Sequence, residues 1–293
     1  MNLHKSEKSF QFTNGVFMIL LCLSMIAPMI HLLAISLSNP IYAEAKLVYL
    51  WPKGFNLEVY KKLFQMNDMW RAMGVSVLIT VMGTLLCLLL TSTLAFTLTR
   101  PQMPGRKWIL RLILFTFIFP VPLIPSFLVV KSLGMMDTLW ALIVPGALGA
   151  YFIFITKTFF QGISSELIDA AKIDGSGELG ILTRIILPLS TPVLATIALF
   201  HAVGQWNAYF GALIYIRSVH LYPLQLKLRN MVQNSVADSG LDGGGYQLDT
   251  SMMQTPEMMK AGAIIFSTIP ILLVYPFLQK YFVKGAFLGS LKE

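Results

Sequence analysis

Six stretches of the chain are apolar for long enough to cross a bilayer, which takes about 20 residues for about 30 Å of hydrocarbon. They run approximately from Val16 to Leu37, Met73 to Leu98, Ile109 to Val130, Leu139 to Phe160, Pro188 to Ile216 and Ala261 to Val283. No ten-residue alternation of apolar and polar positions recurs, so the pattern predicts helices and not a membrane barrel. The first stretch follows Lys5 and Lys8 as a secretory leader would. It is longer than a leader's apolar region and no small-residue cleavage site closes it, so it is expected to be a retained helix.

The polar positions between the stretches divide into unequal connections. Arg100 to Lys107 forms a short basic turn broken by Pro101, Pro104 and Gly105, as suits a cytoplasmic connection. Between the first and second stretches, Trp51-Pro-Lys-Gly-Phe-Asn56 reads as a turn ending in a helix cap. Leu57, Tyr60 and Phe64 then fall on one face of a short helix expected to lie on the membrane surface. The longest polar connection runs from Arg217 to Met259; its middle, with Gly243 to Gly245 and Asp238, Asp242 and Asp249, is expected to be mobile. Pro120, Pro122 and Pro125 predict a kink midway along the third stretch.

Composition narrows the class. Hydrophobic residues make up 56% of the 293 and charged residues 12%, with mean hydropathy +0.69. A soluble domain carries roughly 25% charged residues, so an ordinary cytosolic enzyme is excluded. The net charge of +8 comes from 22 basic and 14 acidic residues scattered along the chain, which argues against a nucleic-acid partner. With the N-terminus inside, about 12 basic residues fall inside and about 10 outside, a weak preference for that orientation. Cys22 and Cys87 lie within apolar runs, and the four histidines are too dispersed for a metal site. No nucleophile arrangement is present, and no Gly-x-x-x-x-Gly-Lys-Ser/Thr loop exists to cradle ATP.

The connection between the fourth and fifth stretches carries the strongest motif. Ser164 or Ser165 is placed to cap a helix with Glu166 and Asp169 in its first turn. Ala170 and Ala171 keep its surface approachable, and Asp174-Gly175 should end it in a left-handed turn. Ser176 is expected to cap a second helical segment, and Pro188 suits the first turn of the helix after it. On physical grounds alone this is a helical hairpin that either links two spans or docks a partner.

This hairpin resembles the EAA loop of binding-protein-dependent ABC importer permeases, whose pattern is matched by Ala170, Ala171, Asp174, Gly175, Ile185 and Pro188. Asp169 stands where that family usually has Glu. The stretch from Phe55 to Phe64, the Trp206-Asn207 pair and the end from Gln279 to Lys292 are similar to elements of the sugar-importing branch. The likeness is greatest to the second permease subunit of maltose-type importers, and within them to permeases for complex plant-cell-wall oligosaccharides of Gram-positive bacteria.

The resemblance implies an all-α polytopic membrane protein with the six-helix type I ABC importer permease fold. Residues 1–72 would hold the N-terminal segment, first helix and extracellular loop, and residues 73–283 the transporter domain. The coupling loop would span 164–188, with a cytoplasmic tail over 284–293. It further implies a multi-pass protein of the cell membrane with both termini cytoplasmic, a permease and not an enzyme. Its partners would be a second homologous permease, a cytoplasmic ATPase dimer holding ATP and Mg, and an extracellular solute-binding protein. Its cargo would be an oligosaccharide, of pectin or rhamnogalacturonan type. The coupling residues carried over are Glu166, Asp169, Ala170, Ala171, Asp174, Gly175, Ile185 and Pro188.

Polar and aromatic residues within the apolar stretches are the candidates for a translocation path: His201, Gln205, Asn207, Tyr209 and Tyr151. The competing role is hydrogen bonding between helices. Two other classes remain open at this point, an ABC permease for a non-sugar solute and a six-span secondary transporter. Against the latter, no Asp or Glu falls well inside any of the six stretches.

Overall fold

The computed structural model describes residues 5–237 and 256–290, with the side chains of Glu7, 10–233 and 256–276. No strand occurs among the described residues. The chain divides into two units, Met1–Trp70 with Lys227–Ile269, and Arg71–Leu226 with Pro270–Glu293.

In the first unit, α1 (Lys5–Ser36) has none of its most apolar window buried. Such a helix satisfies its own backbone and leaves its side chains to lipid or to a partner. Its end is tied down by polar contacts. Ser36 Oγ lies 2.7 Å from the Tyr60 hydroxyl, and Ser38 Oγ accepts from Lys53 N while donating to Ala34 O. Asn39 caps α2 (Pro40–Glu44) through its side chain. The next helix, α3 (Glu58–Gln65), follows Asn56, whose Oδ1 accepts from Glu58 N at 2.8 Å. Its buried residues are Val59 and Leu63, while Leu57 and Phe64, on the face expected to meet the membrane surface, are about half exposed. The buried pair has a cause in packing: the side chains of Val59 and Leu63 lie against Gly262, where an added Cβ would come within 2.5 Å of Val59. Close approach of backbone and side chain selected the face. Phe64, Trp70 and Phe266 form a ring cluster with centroids 5.6–5.7 Å apart.

The second unit is organised around α4 (Asn67–Thr99), whose 33 residues rise about 50 Å. Cys87, Thr91, Ala95 and Leu98 are wholly buried on one side of it. Around it follow α5 (Arg106–Ile118), α6 (Leu123–Ser132), α7 (Trp140–Ile143), α8 (Ala150–Gln161), α9 (Ser165–Ile173), α10 (Glu178–Ile181), α11 (Leu187–Leu189), α12 (Thr191–Asn207) and α13 (Phe210–Tyr215). The chain continues into α14 (Leu224–Ala237) and α15 (Pro256–Ser290).

Three described helices are long and apolar enough to cross a membrane, and five if two sharply bent pairs each count as one span. Six continuous apolar helices are therefore not found among the described residues. The expected third span is two arms, α5 and α6, bent by 119° around Phe119 to Pro122. Two prolines spaced by one residue remove two helical donors and favour extended backbone before each ring, which produces a corner where a kink was expected. The expected fourth span is split into α7 and α8 by Val144 to Gly149, with Pro145 and Gly146 at the break. At the chain's end, the helix continues through Ser290, beyond the expected boundary at Val283. Gly243 to Gly245, Asp238, Asp242, Asp249 and Lys292 lie outside the described residues.

Candidate functional site

Two places were singled out by sequence, the hairpin over 164–188 and the polar residues of the fifth span. The hairpin forms from local signals. Ser164 Oγ accepts from Glu166 N at 3.2 Å and caps α9. Gly175 takes φ +78°, a left-handed conformation that costs other residues about 1–2 kcal/mol. Gly175 N donates to Lys172 O and Ser176 N to Ala171 O, the paired bonds that close a helix end. Ser176 is thus engaged in ending α9, and Gly177 precedes α10 without a side-chain cap.

Beyond α10, residues Leu182–Ile186 widen into a π turn in which Leu187 N reaches Leu182 O. Pro188 explains it: it has no N–H for the carbonyl four residues earlier, and its ring crowds that carbonyl. Helix α12 then leaves at 79° to the preceding segment.

The hairpin has an inner and an outer side. Ala171 is buried with Ala95, Phe96, Phe160, Ile181, Leu182 and Ile186, and Ile168 and Ile185 pack against that cluster. Glu166, Asp169, Ala170, Asp174, Gly175 and Pro188 are exposed. Beside the acids, Ile173 is 87% exposed and Leu179 77%. Two large apolar side chains thus stand solvent-exposed in the same turn as the carboxylates. Ile173 and Leu179 were not among the sequence-derived candidates, since an isolated apolar residue in a polar loop carries no signal of its orientation.

The fifth-span residues separate into two groups. His201 is 8% exposed, with Nδ1 3.1 Å from Thr84 Oγ1 and Nε2 3.3 Å from Gly146 O. Gln205 Nε2 donates to Leu142 O at 2.8 Å. Both thus serve carbonyls released where α7 ends and the chain breaks before α8, the condition under which irregular backbone is tolerated at membrane depth. A Cβ added at Gly83 would lie 3.4 Å from the His201 ring and 3.8 Å from the Gln205 side chain. Asn207, Tyr209 and Tyr151 are exposed, and Asn207 bonds only one turn back, to Val203 O.

Another side of α12 lines a groove of about 460 Å³ with α4 and the 270–275 segment of α15, including Thr80, Leu85, Trp206 and Val274. Its lining is almost wholly apolar, which suits an acyl chain or a helix and offers a saccharide's hydroxyls nothing.

Just past the end of α13, Asp137 accepts from Arg217 N and Ser218 N, both at 2.9 Å, and from Ser218 Oγ. These bonds hold its carboxyl down at about 2. Sequence gave no reason to single it out, because its partners lie some 80 positions away. Among the described residues no group of His, Cys, Asp or Glu is arranged to hold a metal ion.

Comparison with known proteins places this geometry in a family. Residues 89–288 match the family described as binding-protein-dependent transport system inner membrane component. The chain is 41% identical over 276 residues, 94% of its length and 96% of the relative's, to the polygalacturonan/rhamnogalacturonan transport system permease protein YtcP of Bacillus subtilis (strain 168). It is 41% identical to protein LplC of the same organism, over 98% of this chain and 96% of that one. Among solved structures it superposes on a chain of a bacterial ABC transporter involved in import of the acidic polysaccharide alginate. That match has a TM-score of 0.87 at 28% identity and covers 96% of this chain and 99% of the other.

Proposed function

The chain belongs to the family of binding-protein-dependent transport system inner membrane components, and from that premise we propose that it carries an acidic plant-cell-wall oligosaccharide into the cell. It is an integral membrane permease subunit of an ABC importer, not an enzyme, and works with a second permease, a separate ATPase and a binding protein. The cargo proposal draws on YtcP, named for polygalacturonan and rhamnogalacturonan, and on the alginate importer. All three saccharides carry carboxylates.

The observation that carries the coupling mechanism is the two-sided hairpin. Its inner side packs against the cluster containing Ala95 and Phe96 of α4, while Glu166, Asp169, Asp174 and Ile173 face outward. In this proposal the outer side docks a cytoplasmic ATPase dimer, where ATP and Mg bind. Gly175 and Pro188 set the bends, and Ala170 lets the ATPase surface come close. Closure of the ATPase pulls on α9, and two permeases rock between outward- and inward-open forms in six-span bundles. The shift requires that the nucleotide-bound ATPase favour one of the two forms. Both termini and the hairpin lie in the cytoplasm, and the binding protein delivers its load from outside. Tyr151, Asn207 and Tyr209 are the path residues best placed to meet a saccharide; His201 and Gln205 hold the wall in shape.

Uptake of labelled oligogalacturonates and rhamnogalacturonan fragments into proteoliposomes holding the complete complex tests this. The expected result is ATP-dependent uptake that stops when the ATPase nucleotide site is disabled. Uptake that persists without ATP hydrolysis, driven by a proton or sodium gradient, would contradict it; preference for a non-saccharide solute would overturn the cargo alone.

A further inference from the structure

Helix α4 ends at Thr99, and the next side chain, Arg100, folds back over its own helix. Its guanidinium carbon sits 4.3 Å from the centroid of the Phe96 ring, within range of a cation–π contact. Nη2 lies 2.9 Å from Glu178 Oε2, and the arginine side chain is only 17% exposed. Glu178 opens α10, just past the Gly175 bend. Its other oxygen is 3.9 Å from Lys172 Nζ in α9. One carboxylate therefore joins three segments: the end of α4 and both arms of the hairpin. The end of α4 is itself closed, since Arg106 Nε donates to Leu98 O at 2.8 Å.

The apolar contacts beneath the hairpin have no preferred direction, so a pull on α9 could be absorbed by sliding over Ala95 and Phe96. An ion pair that holds a mostly buried guanidinium against a carboxylate opposes their separation, and so opposes that sliding. It differs from an ordinary surface salt bridge, which contributes little, because Arg100 is mostly buried and removing its carboxylate leaves a cation in a poorly solvated place.

We propose that Arg100 is a positioning residue that, through Glu178 and Lys172, fixes the hairpin to the end of α4, so that displacement of α9 moves the bundle instead of slipping across it. This rests on the reading of the hairpin's outer side as the ATPase dock. Neither Arg100 nor Glu178 belongs to the motif that marks the hairpin, and nothing in a basic residue at a span end distinguishes Arg100 from the usual headgroup contact.

The test uses the complete complex in proteoliposomes, with the binding protein loaded from a pectin digest. The readout is the ratio of ATP hydrolysis with and without the loaded binding protein, normalised to assembled complex. Arg100→Met and Glu178→Gln should each lower that ratio at least about fivefold, with the ATPase still co-purifying. The double variant should be no worse than either single one, and Arg100→Lys should retain part of the coupling. A bridge that only stabilised the fold would lower the amount of complex and leave the normalised ratio unchanged; that result would overturn the proposal, as would two single losses that multiply in the double variant. If Arg100→Met fails to assemble, Glu178→Gln decides alone, because Glu178 is 56% exposed and the substitution keeps its shape. Failure of the docking reading is seen separately, as undiminished ATPase co-purification with Asp169→Lys.

Discussion

The hairpin and the fifth-span polar residues were both marked by sequence, yet they became different kinds of structure. In the hairpin, acids, glycine and proline stand where short-range rules put them, and the acids stay on the outside. In the fifth span, two of the most conspicuous polar side chains, His201 and Gln205, turn to the broken backbone at Leu142 and Gly146. A polar residue on an exposed turn is available to a partner; one at membrane depth is first claimed by unsatisfied backbone nearby.

The largest effect that could break this contrast is expected at Asp169. Asp169→Lys should abolish co-purification of the ATPase, since a charged interface contact loses roughly 2–5 kcal/mol when one partner is removed and reversal adds repulsion. Asp169→Glu should be mild. Wild-type recovery of the ATPase with the lysine variant would leave the hairpin a mere connection.

Next comes the bend. Nothing lies within 4 Å of where a Gly175 Cβ would be, so a substitution there is penalised through backbone strain and not through a clash. Gly175→Val should destabilise the bent form by about 1–2 kcal/mol and lower transport per complex. Gly175→Asn, which tolerates the left-handed region, should recover most of it. Equal losses from Val and Asn in an uptake assay would point to crowding by the partner instead.

The two groups in the fifth span are separated by a smaller pair of measurements. His201→Leu and Gln205→Leu should each lower the melting temperature of the purified complex, with a loss of about 0.6–2 kcal/mol and an unchanged KM for uptake. Tyr151→Ala and Asn207→Ala should do the reverse, raising KM with little effect on melting. A KM change at His201 would move it to the path.

The smallest effect concerns Asp137, whose folded carboxyl at about 2 lies below its ordinary 3.8. A depressed acid stabilises the fold above its unfolded value, and that contribution fades as pH falls from about 4 toward about 2. Asp137→Asn should show no such loss in acid melting curves, so the two curves converge at low pH. Curves that stay parallel from pH 6 to 2 would show that the bonds from Arg217 and Ser218 do not hold the Asp137 carboxylate.

What could be read in advance follows the range of the interactions. The Ser164 cap, the Gly175 turn and the effect of Pro188 depend on neighbours a few positions away, and the sequence contains them. The apolar middles of α4 and α15 were legible as runs over 73–98 and 261–283, whereas both helices extend beyond those runs into polar residues. The 119° corner at Phe119 to Pro122 was marked by its prolines, but its angle depends on what each arm packs against. The helical period of α3 allows two apolar stripes; which one packs inward depends on Gly262, some 200 positions away, which admits Val59 and Leu63. Likewise the pairing of Arg100 with Glu178 and of Asp137 with Ser218 arises only once distant segments meet.

The central claim, that the outer side of the hairpin meets the ATPase, is tested most directly by cross-linking from Ile173, which is 87% exposed beside the carboxylates. In a chain with Cys22 and Cys87 replaced, Ile173→Cys should join the ATPase through a short bis-maleimide in membranes that still import. Trp51→Cys, 82% exposed in the loop proposed to face outward, should not. An import-competent complex in which Ile173→Cys forms no ATPase adduct, or in which Trp51→Cys forms one, would contradict the account.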